Sequence, residues 1–204
     1  MLFRSPKPQT PNPKPQTPNP KPQTPGVDDD IVIMELRLKE AVQKKPASSD
    51  QKNNLREPMP GELDILISMR FTINNNDIGE ITVQLYSDVE VAPLTHNFLC
   101  LALAKKYDNS TIFRMKKGYY MQAGDTQFNC GIGGLSSSGG KIYDYPSAKA
   151  FSRPYRIAMM NTGPHSTASQ FFITFDSCPW LDGWFGAFGE VVDGRPYMTL
   201  QVSM

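Results

Sequence analysis

Few residues in this chain are of the types that make or break covalent bonds. Among 204 residues there are two histidines, His96 and His165, and three cysteines, Cys100, Cys130 and Cys178. His96 falls in a helical pattern and His165 in a loop after Pro164, so both read as surface or packing groups rather than as an acid–base pair. The cysteines are odd in number, widely spaced and outside any CxxC pattern, which fits reduced thiols better than disulfides or a metal centre. No metal and no cofactor is expected. What the sequence offers instead is three blocks of glycine, aromatics and isolated charges: FRMKKGYYMQAGD at 113–125, MMNTGPHSTASQFFITF at 159–175 and PWLDGWFGAFGEV at 179–191. The first holds Arg114, a planar donor that stabilises charge without giving up a proton. Chemistry built on such a group needs neither nucleophile nor histidine.

The elements that must position these blocks follow from periodicity. ILISMRFTI from Ile65, an Asn74–Asp77 turn and EITVQLY from Glu80 read as a β-hairpin. Pro93 suits the first turn of a helix over LTHNFLCLALAKK, with Phe98, Leu101 and Ala102 at core spacing. Short apolar runs follow at 111–113, 119–122, 157–160, 170–175 and 187–192, separated by glycine-rich loops. Short strands with few helices predict a mainly β domain, a barrel or sandwich.

The first 60 residues are different material. Nine of the 18 prolines lie between Pro6 and Pro25, where KPQTPNP occurs twice and begins a third time. Too little apolar surface is present there to build a core, so an extended polyproline II-like or disordered tail over 1–27 is expected. It serves either as a spacer or as a docking strip, phosphorylatable at Thr10, Thr17 and Thr24. The tail is basic, with Arg4, Lys7, Lys14 and Lys21 and no acid through residue 25; a total charge of only +1 argues against a nucleic-acid surface. In residues 28–62, three aspartates precede IVIMELRLKEAVQKK, whose Ile31, Met34, Leu38 and Val42 recur at helical spacing. An amphipathic helix and a linker are predicted, with Ile31–Ile33 as a strand the alternative. No run is apolar enough for a signal peptide or a membrane span. A cytoplasmic location, including a nuclear or cytoskeletal assembly, is expected.

From about Ile65 onward the three blocks, in this order, resemble the cyclophilin-type peptidyl-prolyl cis-trans isomerases. The resemblance implies a cyclophilin-like antiparallel β-barrel capped by helices over 63–204, acting on Xaa-Pro bonds of peptides or proteins. It gives Arg114 and Gln122 the places of the catalytic arginine and its glutamine. Asn161 takes the place of a backbone clamp; Tyr119, Phe172 and Leu181 that of the seat for the proline ring; and Trp180 that of the groove wall. The chemistry is simple in outline. Rotation about an Xaa-Pro amide is opposed by a barrier of roughly 18–20 kcal/mol, because the nitrogen lone pair is shared with the carbonyl. An enzyme need only favour the twisted amide over both planar forms.

The chain departs from the family at the seat itself. Phe185 stands where a histidine is usual, Tyr119 and Tyr120 replace a phenylalanine and a methionine, Met160 replaces an alanine, and Thr162 a small apolar residue. Reduced or altered turnover is therefore expected. The residues from Arg195 read as the start of a helix, without the strand that usually follows it, so that another segment or a partner would have to cover a sheet edge. The competing reading is a weak or inactive cyclophilin-fold module that binds proline-containing proteins within a larger assembly, reached through the tail and helix. A tail that occupies the groove is a third.

Overall fold

The structure is a computed structural model and describes residues 32–43, 63–145 and 149–194. Among these residues the chain forms nine strands and one α-helix. The strands β1 (Val32–Gln43), β2 (Leu63–Ile73), β3 (Asn76–Leu85), β4 (Ser110–Thr111), β5 (Arg114–Lys116), β6 (Tyr120–Ala123), β7 (Arg156–Met159), β8 (Phe171–Thr174) and β9 (Ala187–Asp193) make one antiparallel sheet in the order β4-β1-β2-β3-β9-β7-β8-β6-β5. The mainly β class follows directly.

The hairpin forms as its sequence requires. Strands β2 (Leu63–Ile73) and β3 (Asn76–Leu85) pair from Ile73↔Asn76 to Ile65↔Leu85. Only Asn74 and Asn75 lie between them, with φ of 50° and 66°. A two-residue turn with both φ positive matches the twist of the strands, and asparagine tolerates it.

The predicted amphipathic helix is corrected by the structure. Residues Val32–Gln43 form strand β1, which pairs with β2 from Val32↔Ile73 to Gln43↔Leu63. Met34 and Leu38, which recur at helical spacing, also fit a strand period with Leu36 between them, the three being separated by Glu35 and Arg37. Met34, opposite Phe71, is fully buried. A bulge between Leu38 and Glu40 then shifts the register, placing Glu40 opposite Leu66 and Ala41 opposite Ile65. Twelve residues with an edge to pair against gain a ladder that an isolated helix could not match. The proline repeats, the linker and residues 195–204 lie outside the described residues, as do the readings placed on them.

On its other side β1 pairs with β4 (Ser110–Thr111), while the opposite end of the sheet is β5 (Arg114–Lys116). Only Ile112 and Phe113 separate β4 from β5 in the chain, so the two ends of the sheet are held together and the sheet must curl into a barrel. Helix α1 (Ala92–Leu103), with a proline in its first turn, buries Leu94, Phe98, Leu101 and Ala102. Phe98 centres an aromatic group with Tyr107, Phe171 and Phe188 at ring separations of 5.0 to 5.2 Å. This is the main core, joined by Ile67, Met69, Ile81, Val83, Met121 and Ile173. Asn97 ties the helix to the chain before β8, donating to the Ala168 carbonyl at 2.7 Å.

Candidate functional site

Four short strands carry the site: β6 (Tyr120–Ala123), β7 (Arg156–Met159), β8 (Phe171–Thr174) and the start of β9 (Ala187–Asp193), with β5 at their edge. Alternate residues of β6, β7 and β8 enter the main core: Met121 and Ala123, Ile157 and Met159, Phe171 and Ile173. The residues between them face the other way. There, register aligns Arg114, Gln122, Phe172, Ala158 and Ala187 in one row across five strands. Directly opposed residues share a face, so the arginine and glutamine, eight positions apart, stand beside the phenylalanine.

The row continues into a second apolar cluster of Phe151, Ala158, Phe172, Cys178 and Ala187, against which Tyr120, Met160, Leu181 and Phe185 are packed and half-buried. Phe172 is its floor. Phe185 meets that ring edge-on at 5.1 Å, Tyr120 at 6.3 Å, and Phe151 stacks on it at 6.1 Å, leaving Phe172 only 4% exposed. Leu181 and Trp180 come from a 3-10 turn over Pro179–Leu181, anchored by two bonds to Phe151: its amide donates to Asp182 Oδ1 and its carbonyl accepts from the Cys178 amide, both at 2.7 Å. Burial pushes the Cys178 thiol up, with Asp176 adding to the effect. Trp180 is 60% exposed and lies 6.5 Å, ring to ring, from the exposed Tyr119. Tyr119 thus sits at the mouth with Trp180, and Tyr120 is the tyrosine against the seat. Asn161, just beyond β7, donates from Nδ2 to the Trp184 carbonyl at 3.4 Å. Outside the strands, no described backbone hydrogen bond engages its own N–H or C=O. His96 and His165 lie elsewhere, beside Cys100 and Tyr143 respectively.

Gln170, which the sequence does not single out, joins the candidate site through its hydrogen bonds. Gln170 Nε2 donates to the carbonyls of Gly131 and Gly133 at 2.9 and 2.7 Å, and carbonyls only accept, so the orientation of this amide is fixed. Gln170 Oε1 must then accept, and it does so from Gln122 Nε2 at 2.9 Å. That leaves Gln122 Oε1 buried and without a partner among the described residues. It is an acceptor on the side chain directly opposite Arg114, a group with donors only. The available signal was a glutamine within an otherwise apolar strand run.

The loop that supplies those carbonyls is held by Asp125, a fully buried carboxylate. Its Oδ1 accepts from the amides of Gln127 and Phe128, and its Oδ2 from those of Cys130, Gly131 and Gly133, at 2.8 to 3.2 Å. Burial pushes its pKa up, but the amides outweigh that and bring it down to about 2. A Cβ on Gly133 would lie 2.6 Å from Oδ1, so only glycine lets this amide approach.

Comparison with known proteins places this arrangement. Residues 69–200 match the family model described as cyclophilin type peptidyl-prolyl cis-trans isomerase/CLD. The chain belongs to the cyclophilin family. Peptidyl-prolyl cis-trans isomerase D of Saccharomyces cerevisiae is 35% identical over 145 residues, which are 68% of this chain and 64% of that one. The human NK-tumor recognition protein is 37% identical over 134 residues, 60% of this chain but 9% of that one. This cyclophilin therefore spans under two thirds of the yeast relative and a small part of the human one. A crystal structure of a cyclophilin type peptidyl-prolyl cis-trans isomerase from Cryptosporidium parvum aligns with a TM-score of 0.57 and 29% identity, covering 60% of this chain and 77% of that one. The same protein in the presence of the dipeptide Ala-Pro aligns with the same TM-score at 28% identity. No helix among the described residues is long and apolar enough to cross a membrane.

Proposed function

We propose that this chain is a peptidyl-prolyl cis-trans isomerase whose site is the row from Arg114 to Phe172 with its flanking aromatics. The observation that carries the reading is the directional amide chain, Gly131 and Gly133 to Gln170 to Gln122, which ends in an acceptor opposite Arg114. Gln122 holds the guanidinium over the seat. Arg114 donates to the proline nitrogen as it pyramidalises, or to the neighbouring carbonyl, and so stabilises the twisted amide. A donor held ready costs no reorganisation as the bond turns. The backbone of Asn161 holds the peptide, and Phe172, Leu181, Phe185, Tyr120 and Met160 receive the ring, with Tyr119 and Trp180 at the mouth.

Proline-containing peptides or protein segments are the substrates in this reading, and the Ala-Pro dipeptide studied with the Cryptosporidium relative is of that class. Three free thiols support a reducing compartment such as the cytoplasm. The test is cis-to-trans exchange of an Ala-Pro peptide followed by NMR. Arg114→Ala is expected to lower kcat/KM about 100-fold, as loss of one preorganised donor does. Unchanged exchange in that variant would sink the mechanism.

A second reading, a module that binds proline segments with little turnover, is favoured by one observation: Phe172 is nearly covered by Phe185 and Tyr120. Binding of the same peptide with no acceleration of exchange at enzyme excess would establish it.

A further inference from the structure

We propose that the site prefers Xaa-Pro segments with an anionic side chain, carboxylate or phosphate, within two or three residues of the proline; this rests on the peptide-binding reading above. Between Asp108 and Asp125 the chain holds three cations, Arg114, Lys116 and Lys117, and no acid. All three are exposed. Lys116 lies on the face of the site: it is two residues along β5 from Arg114 and directly opposite Tyr120, which packs on the Phe172 cluster. Its Nζ stands 4.6 Å from the centre of the Tyr119 ring, and so belongs to the mouth that Tyr119 and Trp180 form.

Among the described residues no carboxylate pairs with these cations. The acids on the neighbouring strands and turn make other contacts, and of these Asp176 and Asp182 keep an unneutralised charge. Asp125 is caged by amides; Glu190 bonds Arg156 at 3.0 Å; Asp182 Oδ1 accepts from Phe151; Asp176 Oδ1 accepts from the Ser177 amide at 2.7 Å. A single exposed lysine would matter little to a ligand. Charges of one sign along the rim of a groove add, and attract the opposite charge. Two residues of strand rise about 7 Å, so an extended peptide with its proline on Phe172 brings a side chain two or three positions away to Lys116, which Lys117 follows in the chain. The same lysines on an edge strand could serve merely to prevent pairing with another sheet. Substrate charge would then make no difference.

The full chain decides between these with otherwise identical Ala-Pro peptides carrying alanine, glutamate or phosphoserine two residues before the proline, and a second set with the change two residues after it. Exchange is followed by NMR and binding by chemical-shift titration. In at least one set the anionic peptides are expected to gain about five-fold or more in kcat/KM at low salt, a gain that shrinks at high ionic strength. The K116Q/K117Q double variant should bring the ratio of kcat/KM for the anionic peptides to that for the alanine peptide down to about one, and the ratio is read within the variant, so a change in its rate with the alanine peptide does not enter. A preference for phosphoserine alone supports the inference and narrows the anion to phosphate. Equal constants in both sets, or a preference that survives K116Q/K117Q, overturn it. Tighter binding of anionic peptides without any turnover keeps this inference and removes the isomerase reading; turnover of all peptides alike does the reverse.

Discussion

Phe185 is the side chain that bears most directly on how open the seat is. It meets Phe172 edge-on at 5.1 Å and, with Tyr120, reduces the floor to 4% exposure. A proline ring gains roughly in proportion to the apolar area it covers, and here much of that area is already covered by the chain itself. Phe185→Ala should uncover Phe172 and raise affinity for an Ala-Pro peptide by a few-fold, read by titration, although it removes an aromatic pair that contributes about 0.5–1.5 kcal/mol. Affinity that falls along with stability would mean that Phe185 is part of the seat rather than its cover. That Arg114, Gln122, Phe172 and Phe185 lie together, as a candidate site needs, could be anticipated from the sequence because each falls inside a distinctive block. Gln170 was not, since a glutamine in an apolar run carries no mark of the two carbonyls, 37 and 39 residues away, that orient it.

At the scale of elements, the loop after β6 is a device for orienting an amide. Asp125 gathers five backbone N–H groups, and the same loop turns two carbonyls toward Gln170. With a pKa lowered to about 2 from an ordinary value near 3.9, Asp125 contributes stability that is fully present above about pH 4. That contribution is lost as pH falls through 2, and amounts to on the order of 2 kcal/mol. Asp125→Asn should flatten the acid limb of stability measured by urea unfolding between pH 2 and 5. It should also lower kcat more than it raises KM, because in the proposed mechanism the loop acts on the arginine through Gln170 and Gln122. An unchanged acid limb would contradict the account. Among elements, the hairpin, helix α1 and the runs that became β6 to β9 were legible from alternation and turn residues. Strand β1 was misread because Met34, Leu38 and Val42 satisfy a helical period while Met34, Leu36 and Leu38 satisfy a strand period. An open edge on β2 decides between them, and that edge is a property of the fold rather than of the segment.

For the molecule as a whole, β1 lies ahead of the family-matched residues, which begin at Met69 inside β2. The sheet is nonetheless continuous from β2 through β1 to β4. Removing residues 1–43 should therefore expose two edges at once and give a protein that melts well below the full chain and associates at micromolar concentration. Removing only residues 1–27, whose sequence holds little apolar surface, is expected to leave the melting temperature within about 1–2 °C. Calorimetry and gel filtration of both forms check this, and equal melting of all three would show that β1 contributes nothing. Strand β1 also bears on the site at a distance. Strand β8 is hydrogen-bonded on both sides, to β6 and β7, whereas among the described residues β5 has β6 alone and is joined through two residues to β4, which has β1 alone. The pocket floor is thus woven into the middle of the cloth, and the arginine is stitched to its hem. Fraying that begins where β1 meets β4 is expected to reach Arg114 before Phe172, so that in the proposed reaction the grip on a proline ring would outlast the means of turning it.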